Sequence, residues 1–303
     1  MMALKGLHIL LTYTCNYECD HCFVWGSPGQ SGTFTLGQLD DVLRQAVEAG
    51  GIKEIYFEGG EAFLYYPILV EAVGRAKQLG FWTGVVTNGY WATEVEDAWM
   101  WLKPLAAAGL DALEVSADIF HGQGSEEVKE LASLVAAGEL FLEASTIVIE
   151  PAGEARAPDQ AVPGQPLVGG DVMYRGRAAE KLTGGLPKQR WTAFDSCPYE
   201  NLADPGRIHL DSLGNLHVCQ GIVIGNLFER PLKQILAAYN PATHPIVGPL
   251  LDGGPANLVN HYSLALESEY VDACHLCYSA RVALRPALPA ELGPYQMYGV
   301  MGV

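Results

Sequence analysis

The sequence predicts an α/β fold built on parallel strands. Two observations carry this. Short apolar runs rich in strand formers alternate with amphipathic helical stretches from residue 7 to residue 150. Cys15, Gly60, Asn88 and Ser116 each follow closely on an apolar run. Strand–helix alternation implies parallel strands joined by right-handed crossovers, arranged as a barrel, a partial barrel or a doubly wound sheet. In these architectures the functional site lies at the carboxyl ends of the strands.

The elements follow in order. LHILLTY (7–13) reads as a strand, and TLGQLDDVLRQAVEAGG (35–51) as a helix stopped by Gly-Gly. KEIYFEGGE (53–61) is a strand running into a glycine turn; YPILVEAVGRAKQLG (66–80) is a helix with Pro in its first turn and Gly at its end. WTGVVTNG (82–89) is a strand, and EVEDAWMWLKPLAAAG (94–109) a helix broken late by Pro104. DALEVSAD (111–118), the helix at 125–138 and the strand LFLEASTIVIE (140–150) complete the alternation. Residues 151–190 are dense in Pro, Gly and Ala and read as a long loop or insertion, in the role of a lid. GRIHLDSLGNLHVCQG (206–221) reads as a hairpin around DSLGN. FWTG and WMW read as core and surface aromatics, and LLDGGPANLVN (250–260) carries no functional signal.

Composition narrows the class. A chain of 303 residues with 49% hydrophobic and 17% charged residues supports a large core and no extended disorder. No window of about 18 uninterrupted apolar residues exists, so no transmembrane helix is expected. The start MMALKGLHILLTYT lacks a small-residue cleavage site, against a signal peptide. A net charge of -17 argues against nucleic acid or an anionic membrane as the main partner. Seven cysteines, an odd number in tight clusters, do not read as a secreted disulfide framework. They fit thiolates kept for metal in a reducing compartment, hence a cytoplasmic protein.

Three of the seven lie within TYTCNYECDHCFVWG: Cys15, Cys19 and Cys22. Structural zinc takes four ligands, and His21 beside Cys22 makes a poor fourth because neighbouring side chains diverge. A four-iron, four-sulfur cluster binds one thiolate per iron, so three cysteines leave one iron open to an outside ligand. The plain reading is three buried thiols or an incomplete zinc site. Cys197, Cys219, Cys274 and Cys277, the last two as CHLC, suit a fully ligated site. On spacing this is zinc, an iron–sulfur cluster or disulfides.

The C-x-x-x-C-x-x-C stretch after the first strand of an alternating fold resembles the radical S-adenosylmethionine (SAM) enzymes. Gly59, Gly60 and Glu61 match that family's Gly-Gly-Glu stretch, while TNG (87–89) and VSAD (115–118) fall where the family contacts its cofactor. His21 stands where the family often has an aromatic carbocycle, and keeps a flat ring. The resemblance covers residues 7–150. It implies a partial (β/α)6 TIM-like barrel in which Cys15, Cys19 and Cys22 hold a [4Fe-4S] cluster whose open iron takes SAM. An electron from the cluster cleaves SAM to a 5'-deoxyadenosyl radical that abstracts hydrogen. Gly59, Gly60, Glu61, Asn88 and Ser116 are the implied SAM contacts, with Glu61 receiving the ammonium. Arg175 or Arg177, in YRGRAAEKL, is the candidate partner of the SAM carboxylate.

The other four cysteines resemble the family's shortened auxiliary-cluster domain (twitch; the longer form is SPASM). This implies a second [4Fe-4S] cluster on Cys197, Cys219, Cys274 and Cys277, with no free corner. Residues 1–190 are then the barrel, including the insertion near 151–170, and residues 191–303 the small C-terminal iron–sulfur domain and tail. A closed cluster favours net oxidation, as dehydrogenation or crosslinking, of a small molecule or a peptide side chain. Flavodoxin or ferredoxin is the implied electron donor. Peptide-modifying members often carry an N-terminal winged helix, and this chain is expected to lack one. Asp118 and His121 are candidate proton acceptors, and Tyr13 is placed near the mouth. The competing functions are an activase or maturase acting on a protein partner, and a non-enzymatic electron-transfer or scaffold protein. The open fourth iron argues against a carrier, which needs a closed cluster.

Overall fold

The computed structural model describes residues 4–121 and 126–300. Residues 1–3 of the start MMALKGLHILLTYT, and Ser125 of the helix expected at 125–138, lie outside the described residues. Five strands alternate with four helices: β1 (Gly6–Thr12), α1 (Leu36–Ala49), β2 (Glu54–Gly59), α2 (Tyr66–Gln78), β3 (Trp82–Thr87), α3 (Val95–Ala108), β4 (Ala112–Ser116), α4 (Glu126–Glu139) and β5 (Glu143–Ile147). All neighbouring pairs among β1–β5 are parallel. The C-terminal part adds α5 (Arg177–Lys181), β6 (Gln189–Arg190), β7 (Arg207–Asp211), β8 (Asn215–Cys219), β9 (Ile222–Asn226), α6 (Leu232–Ala238), α7 (Val247–His261), β10 (Glu269–Tyr270) and α8 (Ala273–Leu284).

One sheet runs through the molecule in the order β5-β4-β3-β2-β1-β7-β8-β9. The sixth parallel strand of this partial barrel is therefore not a further unit after β5. It is β7, which pairs with β1 in parallel, Leu7 opposite Ile208 and His8 opposite His209. The expected hairpin is β7–β8, and β9 extends it by a second antiparallel pairing. Among the described residues no helix is long and apolar enough to cross a membrane.

The strands explain both faces of the sheet. Leu7, Ile9 and Leu11 on β1, Ile55 and Phe57 on β2, Leu113 and Val115 on β4, and Ile208 and Leu210 on β7 are all buried in the main core. The residues between them, His8, Glu54, Tyr56, Glu58, Glu114, Arg207 and His209, line a cavity. The period-2 pattern thus puts apolar residues on one face and polar residues on the other. Outside, α1 starts at a capping box formed by Thr35 and Gln38 and buries Leu39, Val42, Leu43 and Ala46. Each fully buried Leu or Val contributes about 1.5–3 kcal/mol.

Helix α3 corrects one expectation: it continues through Pro104 to Ala108. Pro104 is exposed, and the carbonyl it leaves without a partner belongs to Met100, also on the solvent face. The Pro/Gly-rich insertion is a folded loop, not a free strap. An Ala155–Val168 bridge closes it, and the Gly164 carbonyl accepts from the N–H of Ala273 at 2.9 Å.

Candidate active site

The loop after β1 presents Cys15 and Cys19, both buried, and half-buried Cys22. Donors already face two of these sulfurs. Tyr17 N lies 3.4 Å and Asn88 Nδ2 3.6 Å from Cys15 Sγ, and Gly26 N lies 3.2 Å from Cys22 Sγ. Burial pushes the thiols of Cys15 and Cys19 up to about 12, so a metal must displace their protons on binding. Arg177 fixes the loop from outside. Its guanidinium donates to the carbonyls of Cys19 (2.7 Å) and Gly26 (2.9 Å), and its backbone N–H to that of Cys22 (2.9 Å). Arg177 is thus committed to the loop backbone, whereas Arg175 lines the cavity.

Gly59, Gly60, Asn88 and Ser116 also line that cavity. A Cβ on Gly60 would sit 2.4 Å from the carbonyl oxygen of Thr14 and 2.6 Å from that of Tyr13, so the missing side chain lets β2 reach the root of the cysteine loop. Asn88 Nδ2 donates to Asn16 Oδ1 at 2.9 Å and so holds the end of β3 against the same loop.

Glu61, an implied SAM contact, is buried, and its carboxylate already accepts three hydrogen bonds: from Phe63 N at 2.9 Å and Thr87 Oγ1 at 2.9 Å on Oε1, and from Asn88 N at 2.7 Å on Oε2. It ties the end of β2 to the end of β3, and Oε2 keeps one acceptor position. Burial raises its pKa from 4.5 to about 7 against these hydrogen bonds. A carboxyl raised on folding stabilises the fold below its unfolded pKa and loses that contribution as pH rises through the folded value. The stability difference between wild type and Glu61→Gln, measured by urea denaturation of the apo chain, should therefore change between pH 4.5 and about 7 and level off above it. A pH-independent difference would contradict this reading.

The cavity measures about 610 Å³, within the range of small-molecule sites. Asp118 and His121 lie on its wall, with His121 Nδ1 2.7 Å from Asp118 Oδ1. Asp118 also accepts from Phe120 N (3.1 Å) and Ile149 N (3.3 Å). Burial works against this carboxylate, but the His121 hydrogen bond and the neighbouring histidines outweigh it and hold the pKa below the usual range. His21 turns to the same group, stacks on Phe120 and is pushed down to about 4, chiefly by burial. Tyr13, expected near the mouth, is instead a core residue: it is fully buried and donates to Asp211 Oδ2 at 3.0 Å, bridging β1 and β7.

The remaining four cysteines come together. Cys197, Cys219, Cys274 and Cys277 line one small pocket with Arg175 and Arg281. Cys219 ends β8, and Cys274 and Cys277 occupy the start of α8, where the helix dipole favours negative sulfur. Asp272 caps α8 by accepting from His275 N at 2.7 Å. Arg175 Nη1 lies 3.2 Å from Cys219 Sγ, while its Nε is buried with no protein partner. Arg281 is buried and donates to the carbonyl of Gln220 at 2.6 Å. Two buried guanidiniums suit a site that carries negative charge. The stretch at 250–260 proves to be part of this site. Leu250 and Pro255 line the pocket, and at Gly254 (φ +62) a Cβ would sit 2.2 Å from Ser196 N, beside Cys197.

Among the described residues, the groups of three or more ligand atoms within 4.8 Å of one another are His8–Glu58–His209 and His21–Asp118–His121.

Part of the chain is similar to known proteins. Residues 9–133 match the radical SAM superfamily. YydG of Bacillus subtilis (strain 168), named as a peptide biosynthesis protein, is 27% identical over 120 residues, which is 40% of this chain and 38% of its own. The tungsten-containing aldehyde ferredoxin oxidoreductase cofactor-modifying protein of Pyrococcus furiosus is 29% identical over 116 residues, 38% of this chain and 31% of its own. A Saccharolobus islandicus protein named as a GTP 3',8-cyclase is 33% identical over 130 residues, 42% of this chain and 38% of its own. These matches span well under half of each relative. The crystal structure of BtrN in complex with AdoMet and 2-DOIA aligns over 77% of this chain and 81% of its own, at a TM-score of 0.49 and 16% identity. Residues 9–133 are thus a radical SAM domain, the catalytic unit of enzymes that use a [4Fe-4S] cluster and SAM.

Proposed function

We propose that this protein cleaves SAM reductively and uses the resulting radical for a net oxidation of a small molecule or a peptide side chain. Cys15, Cys19 and Cys22 hold the [4Fe-4S] cluster, and Gly59, Gly60, Glu61, Asn88 and Ser116 surround SAM. When bound, cluster and SAM together supply a 5'-deoxyadenosyl radical able to abstract a hydrogen atom. The observation that carries the oxidative reading is the four-cysteine pocket beside the cavity, with Arg175 lining both. A second [4Fe-4S] cluster on Cys197, Cys219, Cys274 and Cys277 would supply an electron acceptor with no open iron.

The residues of the cavity wall do the rest. Hydrogen abstraction followed by loss of one electron releases a proton. His121, oriented through Nδ1 by Asp118, keeps Nε2 as the basic nitrogen to take it. Glu61 and Asn88 brace the strand ends against the cysteine loop. A cavity of about 610 Å³ that must also hold SAM suits a metabolite or a single side chain better than the folded partner of an activase. Flavodoxin or ferredoxin is the proposed electron donor, and the proposed setting is the cytoplasm.

The reading is tested by incubating anaerobically reconstituted, reduced protein with SAM. It should form 5'-deoxyadenosine and methionine, slowly even without substrate. Absence of both products from protein of full iron content would overturn it.

A further inference from the structure

Opposite the cysteine loop, at the floor of the cavity, lies a second constellation that the reaction above does not use. His8 on β1, Glu58 on β2 and His209 on β7 all line the cavity. His8 and His209 are cross-strand partners, and Leu10, two residues beyond His8, pairs with Glu58. Three adjacent strands thus bring the three side chains together on the inner face. Each carboxylate oxygen of Glu58 meets one ring nitrogen: His8 Nδ1 at 3.4 Å and His209 Nε2 at 3.3 Å. One ligand atom from each residue lies within 4.8 Å of the other two.

We propose that His8, Glu58 and His209 form a divalent-cation site, for zinc or ferrous iron, with its open side toward the cavity. The two rings reach different oxygens of Glu58, His8 Nδ1 to Oε2 and His209 Nε2 to Oε1, so a cation between them would meet one nitrogen of each ring and the carboxylate. The His8 contact is at the long limit for a hydrogen bond. Two imidazoles and one carboxylate with open positions are the donor set of ferrous and zinc centres. The rings are held in place, His8 stacked on Tyr56 at 4.9 Å between centroids and edge-on to His209 at 5.2 Å. Arg207 on the same wall opposes a cation, while Glu54 and Glu114 favour one. The remaining coordination positions face the space where a substrate hydroxyl or carboxylate oxygen would enter. By contrast, the His21–Asp118–His121 group already spends Asp118 on a 2.7 Å hydrogen bond and two backbone donors.

The test uses anaerobic holoenzyme stripped of loosely held metal on a chelating resin. Mn2+, which avoids thiolates, is the probe, followed by loss of its free EPR signal, with Zn2+ as competitor. The site should take up about one Mn2+ per chain, displaceable by Zn2+. His8→Ala/His209→Ala should abolish uptake, Glu58→Gln should weaken it about tenfold or more, and His121→Ala should leave it intact. Cluster absorbance and circular dichroism verify that each variant is folded and loaded. Pulsed EPR on wild type reads imidazole nitrogen coupled to the bound Mn2+ and does not depend on any variant folding. No uptake by wild type, uptake without nitrogen coupling, or uptake that survives His8→Ala/His209→Ala would each overturn the proposal. So would uptake lost with His121→Ala.

Discussion

Replacing Cys15, Cys19 and Cys22 together by Ala should abolish formation of 5'-deoxyadenosine from SAM. The three side chains share one loop, and its backbone is held by contacts that the substitutions do not touch. Arg177 keeps its hydrogen bonds to the carbonyls of Cys19, Cys22 and Gly26, because these are backbone groups. The loop should therefore keep its course while losing its sulfurs, and circular dichroism should be close to wild type. Cleavage products from this variant at wild-type yield would show that the loop does not hold the reacting group.

Replacing Cys274 and Cys277 by Ala should have the opposite pattern. Formation of 5'-deoxyadenosine should survive, because the cysteine loop and the cavity residues of β1–β4 are untouched. The oxidised product should disappear when the true substrate or a close analogue is supplied. Helix α8 should persist, since Asp272 still caps it and Leu276, Ala280 and Leu284 remain buried. Full product yield from a folded double variant without its second metal group would remove the support for net oxidation. The four cysteines would then serve structure alone.

How much of this was legible in the sequence depends on the range of each interaction. The strand–helix alternation and the cysteine loop at 15–22 are local, so periodicity and spacing mark them, whereas Cys197, Cys219, Cys274 and Cys277 are spread over the C-terminal part and are grouped only through a family resemblance. Helix α3 was misjudged because a proline was read without its exposure. For Glu61 the motif marks the residue, but only the fold shows that its carboxylate also accepts from Phe63, Thr87 and Asn88. Tyr13 found its partner Asp211 on a strand whose place beside β1 no local pattern reveals.

The same long-range pairing hid the group at His8, Glu58 and His209. A signal was nevertheless present. LHILL, IYFEG and RIHLD each set a polar residue at the alternate position of an apolar run. On a sheet with an open inner face that pattern marks residues aimed into a cavity. The region around α6–α8 has no comparable alternation. The role of Gly254 there comes from backbone packing beside Cys197, which composition does not encode.

The central claim is that this chain holds two four-iron clusters, one of them on Cys197, Cys219, Cys274 and Cys277. Metal analysis of the Cys15→Ala/Cys19→Ala/Cys22→Ala variant, isolated and reconstituted under iron-replete anaerobic conditions, tests it most directly. Wild type should carry about eight irons and the variant about four, with matching sulfide. One zinc and no iron in the folded variant would contradict the account.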